Sequence, residues 1–183
     1  MTELDVLKDV VRRLEDAKLG YMVTGSIALS YYAEPRMTRD VDIVVECGSR
    51  NARQIAALFR PDYYVSGEDV LRALRELTMF NILHLESVVK LDIILRKDTP
   101  YRINEFARKR QVSLPGFAAW LVSKEDLILS KLAWAKPSMS ELQLRDVRAL
   151  LATGADVEYL RRWAPELSVS ELLEWQLGER HQP

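Results

Sequence analysis

Three aspartates and one glycine–serine turn are the residues whose types and spacing could do chemistry in this chain of 183 residues. Asp40 and Asp42 stand in the alternating run Asp40-Val41-Asp42-Ile43-Val44-Val45. Side chains alternate across a strand, so both carboxylates share one face while Val41, Ile43 and Val45 take the other. Two carboxylates about 7 Å apart along a strand repel each other unless a cation lies between them. Magnesium, or manganese in its place, is the expected ion, because it takes hard oxygen ligands and keeps positions for water and phosphate. Asp92 interrupts the apolar run Val89-Lys90-Leu91-Asp92-Ile93-Ile94-Leu95. An unpaired charge in such a strand is very costly, so Asp92 either joins Asp40 and Asp42 around metal or pairs with Lys90, two residues away on the same face. Gly25-Ser26 closes one predicted strand and opens a helix, where free amides and the positive helix end favour phosphate. Each fragment alone has a bland account, a solvated strand end or an ordinary turn. Their order in a strand–helix–strand context favours a site.

The elements that must position these residues can be read from periodicity. Residues 3–18 carry apolar positions at helical spacing, Gly20 stops that helix, and residues 21–23 read as a strand. Residues 26–33 are predicted helical and 41–45 a strand; helices follow at 51–59, ended by Pro61, and at 68–77. Residues 79–85 and 88–95 form two strands whose short link demands an antiparallel hairpin. Residues 102–110 suggest a basic helix, and 111–114 and 118–122 short edge strands. From Ser123 the pattern is helical, at 124–135, 141–152, 156–164 and 170–178. Ser123, Ser140 and Ser168 each begin a pattern of the capping-box kind. The reading is an α/β (α+β) fold: a mixed sheet of about five strands flanked by helices over residues 1–122, then a helical bundle over 123–183, with the substrate cleft between them.

Composition narrows the function classes. Apolar residues make up 48% and charged residues 29%, with a net charge of −1, so a polyanion would need a local patch rather than the whole molecule. Arg108-Lys109-Arg110 is the densest such patch, though a solvated helix end explains it as well. The single cysteine, Cys47, excludes an internal disulfide and a cysteine-built zinc site. No apolar run is long enough to cross a bilayer and the amino terminus does not read as a signal peptide; a cytoplasmic location without membrane partners is the expectation. His84 and His181 lack metal-ligand spacing. Trp120, Trp134, Trp163 and Trp175 read as packing residues rather than a stacking platform.

The combination Val23, Gly25-Ser26, Asp40, Asp42 and Asp92 resembles the DNA polymerase β-like nucleotidyltransferase superfamily. Its signature is a hydrophobic-glycine-[glycine or serine] turn, a D-hydrophobic-D pair and a third Asp on a later strand. Within it, Gly25-Ser26-Ile27-Ala28-Leu29 through Arg36-Met37-Thr38-Arg39-Asp40-Val41-Asp42 is similar to the AbiEii-type family of abortive-infection and toxin–antitoxin systems. Glu125 to Leu132 looks like that family's lysine-bearing helix, and Arg145-Asp146-Val147 like its later aspartate motif. The likeness spans residues from about 20 to 152. It implies Asp40, Asp42 and Asp92 as metal ligands and catalytic groups and Lys131 as a triphosphate-neutralising lysine. Gly25, Ser26, Arg36, Thr38 and Asp146 would serve nucleotide binding.

Read on their own, these later residues have plainer accounts. Lys131 falls among Leu127, Ile128, Leu132 and Ala135, so its stem should be partly buried with the ammonium reaching outward. Asp146 borders an apolar stripe and either holds Lys131 or begins the solvent face. Arg36 and Thr38 either meet phosphate or a base, or stabilise a turn.

The charges then imply in-line attack of an acceptor hydroxyl on the α-phosphate of an NTP, with pyrophosphate leaving. Asp92 would act as metal ligand or as general base. The resemblance implies an RNA (tRNA-like) end or a protein side chain as acceptor, and a toxin role with an antitoxin partner. Two rivals remain: nucleotidyl transfer to a small molecule such as an antibiotic, and a non-catalytic nucleotide- or RNA-binding module that has kept the fold.

Overall fold

A computed structural model describes residues 2–33 and 40–179. In chain order the elements are α1 (Glu3–Asp16), β1 (Gly20–Thr24), α2 (Gly25–Tyr32), β2 (Asp40–Glu46), α3 (Ala52–Phe59), β3 (Tyr63–Val65), α4 (Gly67–Glu76), β4 (Met79–His84) and β5 (Lys90–Leu95). There follow α5 (Pro100–Ala107), β6 (Arg110–Leu114), β7 (Phe117–Leu121), α6 (Lys124–Ala135), α7 (Glu141–Ala152), α8 (Val157–Trp163) and α9 (Ser170–Glu179). The fold is mixed α/β, as expected. Among the described residues seven strands form one sheet in the order β3-β4-β5-β2-β1-β7-β6, two more than the sequence suggested.

Local chemistry explains most of the boundaries. Thr2 and Asp5 close a reciprocal capping box on α1, as do Asn51 and Gln54 on α3. Pro100 occupies the first turn of α5, where its missing amide costs nothing. The Ser123 side chain accepts the Asp126 amide, so the start of α6 is as expected. Ser140 makes no such bond, and Ser168 sits at φ +56° before α9, so those two capping expectations fail. The expected basic helix over 102–110 ends at Ala107, and Arg110 already pairs with Leu121 in the β6–β7 hairpin. β6 is an edge strand, but β7 is not: it lies parallel beside β1 through the pairing of Val23 with Leu121. β3, only three residues long, was too short to carry a periodic signal.

The register matters most for the site. β1 and β2 are antiparallel, β2 and β5 parallel, and β5 and β4 antiparallel. Val41, Ile43, Leu91, Ile93, Phe80 and Ile82 are buried, and these alternate positions hold one face of the sheet in the core. That core continues through Leu127, Ile128, Leu132, Val147, Leu150 and Leu160 of the later helices. The opposite face carries the polar residues and lies against α6 and α7, whose residues share a cavity with it. Among the described residues no helix is long and apolar enough to cross a membrane.

Candidate active site

One rung of the sheet carries the chemistry. Thr24 pairs with Asp42, Asp42 with Asp92, and Asp92 with Asn81, so four polar side chains line up across four adjacent strands. Asp40 stands two rungs away on the same face, paired with Lys90. The expected sharing of one face by Asp40 and Asp42 is therefore found, and Asp92 faces the same way, directly beside Asp42.

Gly25 explains how this rung meets the next helix. It sits at φ +64°, a conformation L side chains avoid. A Cβ built on it would lie 1.9 Å from Asp42 Oδ2 and 2.7 Å from Asp42 Cγ. Glycine is thus required on two independent grounds, and the turn from β1 into α2 rests against the Asp42 carboxylate. Ser26 follows, buried, with its hydroxyl 3.4 Å from the Asp40 carbonyl oxygen that accepts from it.

The electrostatics follow from this crowding. Burial pushes the Asp42 carboxyl up to about 6, the neighbouring Asp92 adds to the rise, and Asp40 adds a further part. Lys131 and Lys90 act the other way. Asp92 Oδ1 accepts from Asn81 Nδ2 and lies 3.1 Å from Lys90 Nζ. Lys90 also reaches to 3.9 Å from Asp40 Oδ1. Its ammonium is held above its ordinary value, first by the bond to Asp92 and also by the charges of Asp92, Asp40 and Asp42, against the opposing effect of burial. Of the two alternatives for Asp92 the pairing with Lys90 is found, and its carboxylate also stands beside Asp42 on the same face of the sheet. Among the described residues no three acidic, histidine or cysteine side chains are grouped closely enough to hold a metal ion by themselves. The donor set nonetheless suits a hard divalent ion. It is all oxygen, and its buried member carries a raised proton affinity that a second positive charge would relieve.

The cleft, of about 510 Å³, brings together Gly25, Ser26, Asp40, Asp42, Asp92 and Lys131. Lys131 does not reach outward as expected. It is 1% exposed, donates to Asp146 Oδ2 at 2.8 Å and to Gln143 Oε1 at 3.1 Å, and yet contributes to the cleft wall. Asp146 therefore holds the lysine from behind rather than lining the cleft, the first of the two roles the sequence left open for it. Arg36 and Thr38 lie outside the described residues.

Sequence reasoning missed several groups here. Asn81 is visible only through the strand pairing. Trp134, expected as packing, is 37% exposed and lines the cleft with Leu77, Met79, Ile94 and Leu142. Lys97 also lines the cleft. Cys47 is buried, and burial pushes its thiol up to about 11, the opposite of what a thiolate nucleophile needs. Arg108 bonds to Asp126, stacks over Tyr159 and is committed to the protein interior side of its helix end, while His84 bonds to Ser87.

This is the fold of nucleotidyltransferases. The chain is similar to an antigenic nucleotidyltransferase-like protein from Paracoccidioides brasiliensis, at 16% identity and a TM-score of 0.59, with 94% of this chain and 92% of that one covered. It is also similar to the lincosamide antibiotic adenylyltransferase LnuA bound to lincomycin, at 16% identity and a TM-score of 0.57, with 84% and 98% covered. A third likeness is to ANT(2″)-Ia in complex with adenylyl-2″-tobramycin, at 12% identity and a TM-score of 0.54, with 92% and 98% covered. At these identities the likeness is one of fold. No protein-family model and no curated protein sequence matches the chain.

Proposed function

We propose that this protein transfers a nucleoside monophosphate from an NTP to a hydroxyl group in a metal-dependent reaction. The observation that carries the reading is the pairing of Asp42 with Asp92 on adjacent parallel strands, with Gly25 packed against Asp42 at the mouth of a helix. Asp40, Asp42 and Asp92 would hold magnesium, or manganese in its place. When bound, such an ion neutralises phosphate oxygens and makes an acceptor hydroxyl easier to deprotonate.

The chain's own residues supply the remaining work. The amides at the start of α2, around Gly25 and Ser26, would receive phosphate oxygens, favoured by the helix dipole. Lys131 adds positive charge to the same wall, near enough to Asp42 to lower its proton affinity, and its position is fixed by Asp146 and Gln143. Asn81 and Lys90 both engage Asp92 Oδ1, which leaves Oδ2 as the oxygen to meet an ion or the acceptor proton. α6 and α7 supply Lys131, Trp134, Leu142 and Gln143 to the lining of the cleft. The carboxylates need form no covalent intermediate; positioning and electrostatics suffice for in-line displacement.

Two acceptor classes are weighed. The sequence resemblance to AbiEii-type proteins supports an RNA end or a protein side chain, with a toxin role and an antitoxin partner. A small hydroxylated molecule is the second reading. It is favoured by the fold likeness to an adenylyltransferase bound to lincomycin and to a protein bound to adenylyl-tobramycin, and by apolar Met79, Trp134 and Leu142 in the cleft lining. The test is incubation with each α-labelled NTP and magnesium, once with cell extract and once with a panel of hydroxylated antibiotics, beside Asp42→Ala. Label in RNA or protein selects the first class, and label in a small molecule the second. Equal results for the native chain and Asp42→Ala would overturn the catalytic reading and leave a nucleotide- or RNA-binding module.

A further inference from the structure

A lysine of the protein's own stands against the carboxylates that line the cleft. Lys90 stands opposite Asp40 in the β2–β5 register and two residues before Asp92 on the same strand face. Its Nζ lies 3.1 Å from Asp92 Oδ1 and 3.9 Å from Asp40 Oδ1, although the side chain is 43% exposed. A half-exposed lysine on a four-carbon stem is free to turn into water and gains rotamer freedom by doing so. It is held over the carboxylates by its ion pairs with Asp92 and Asp40. Lys131 differs in kind: it is buried and bonded to both Asp146 and Gln143, so it has no solvent exit. Only one of the two lysines can give way.

We infer that Lys90 is the internal counter-ion of this site: it bridges Asp92 and Asp40, an incoming divalent ion must displace its ammonium, and Lys90 thereby sets how tightly and which ions the carboxylates take. This rests on the assignment of those carboxylates as metal ligands made above. A monovalent ion brings no more charge than the ammonium it would replace, whereas a divalent ion does. Lys90 therefore biases the site toward divalent ions and keeps Asp42 and Asp92 from repelling one another until one arrives. Lys90 acts through the aspartates and is a positioning residue, not a catalytic one.

The sign of the effect separates this role from a merely structural one. Removing a structural residue loosens metal binding, but removing a competing charge tightens it. Manganese binding without nucleotide, followed by electron paramagnetic resonance, should be about tenfold tighter in Lys90→Gln than in the native chain, the order expected for one charge a few ångströms from a divalent ion at a half-exposed site. Lys90→Arg should restore native affinity. In EDTA, Lys90→Gln should melt lower than the native protein, and manganese should raise its Tm by more than it raises the native Tm. Equal or weaker manganese binding by Lys90→Gln, with native binding intact and abolished by Asp42→Asn, overturns the role of Lys90 and leaves the carboxylate assignment standing. Absence of manganese binding by both native chain and Lys90→Gln overturns the two together.

Discussion

Replacing Gly25 by alanine tests the packing that joins the helix mouth to the carboxylates. The added Cβ meets Asp42 Oδ2 at 1.9 Å, Cγ at 2.7 Å and Cβ at 2.9 Å, all on a central strand flanked by β1 and β5. The backbone of β2 cannot retreat, so the carboxylate must rotate away from the α2 amides. To this is added the left-handed conformation at φ +64°, which costs about 1–2 kcal/mol for an alanine. Together they place the loss of stability at about 2–4 kcal/mol. Urea unfolding in EDTA measures it, and magnesium-dependent NTP binding should be lost in parallel. Asp42→Ala removes the two nearest obstructing groups but keeps the Cβ at 2.9 Å, so Gly25→Ala made in that background should cost less than in the native chain without falling to the conformational part alone. A coupling below about 0.5 kcal/mol between the two changes, or native nucleotide binding by Gly25→Ala, would refute the packing argument.

Three other expectations follow from the same geometry. Lys131→Met leaves Asp146 buried without its cation and should cost about 3–5 kcal/mol in urea unfolding; adding Asp146→Leu should recover most of that stability without recovering transfer activity. The Asp42 carboxyl is raised from 3.8 to about 6, first by burial and then by Asp92, so the folded state binds its proton more tightly than the unfolded chain does. The cost of its charge is therefore absent below about pH 4 and complete above about pH 7, and Asp42→Asn in EDTA should match the native stability at pH 4 and exceed it by about 1–3 kcal/mol at pH 8. A native protein whose stability relative to Asp42→Asn does not change with pH contradicts this. Asn81→Ala removes the hydrogen bond that orients Asp92 and should lower metal affinity or activity about 10- to 100-fold with little change in Tm.

How much of this was legible in the sequence depends on which interactions specify each feature. Strand alternation around Asp40 and Asp42 and the helical spacing of α1 and α6 are local, and they gave the elements and the shared carboxylate face. The hairpin of β4 and β5 followed from the two-residue link. Register between strands distant in the chain is not local. Asn81 beside Asp92, and β7 parallel to β1, arise from pairings over long separations that no periodicity records. Lys131 shows the same limit in another form. Its apolar neighbours predicted a snorkelling side chain, but a partner 15 residues later, on α7, made full burial affordable. Trp134 reads as a packing residue at its place in α6, and only the position of α6 over the sheet makes it part of the cleft wall.

The most direct measurement is a crystal structure grown with manganese and a non-hydrolysable NTP analogue, using anomalous scattering to locate the ions. The account predicts a peak about 2.1 Å from oxygens of both Asp42 and Asp92, phosphates against the amides of Gly25 and Ser26, and the Lys90 ammonium turned away. Manganese bound elsewhere, with Lys90 still joined to Asp92 and the nucleotide outside this cleft, would contradict it.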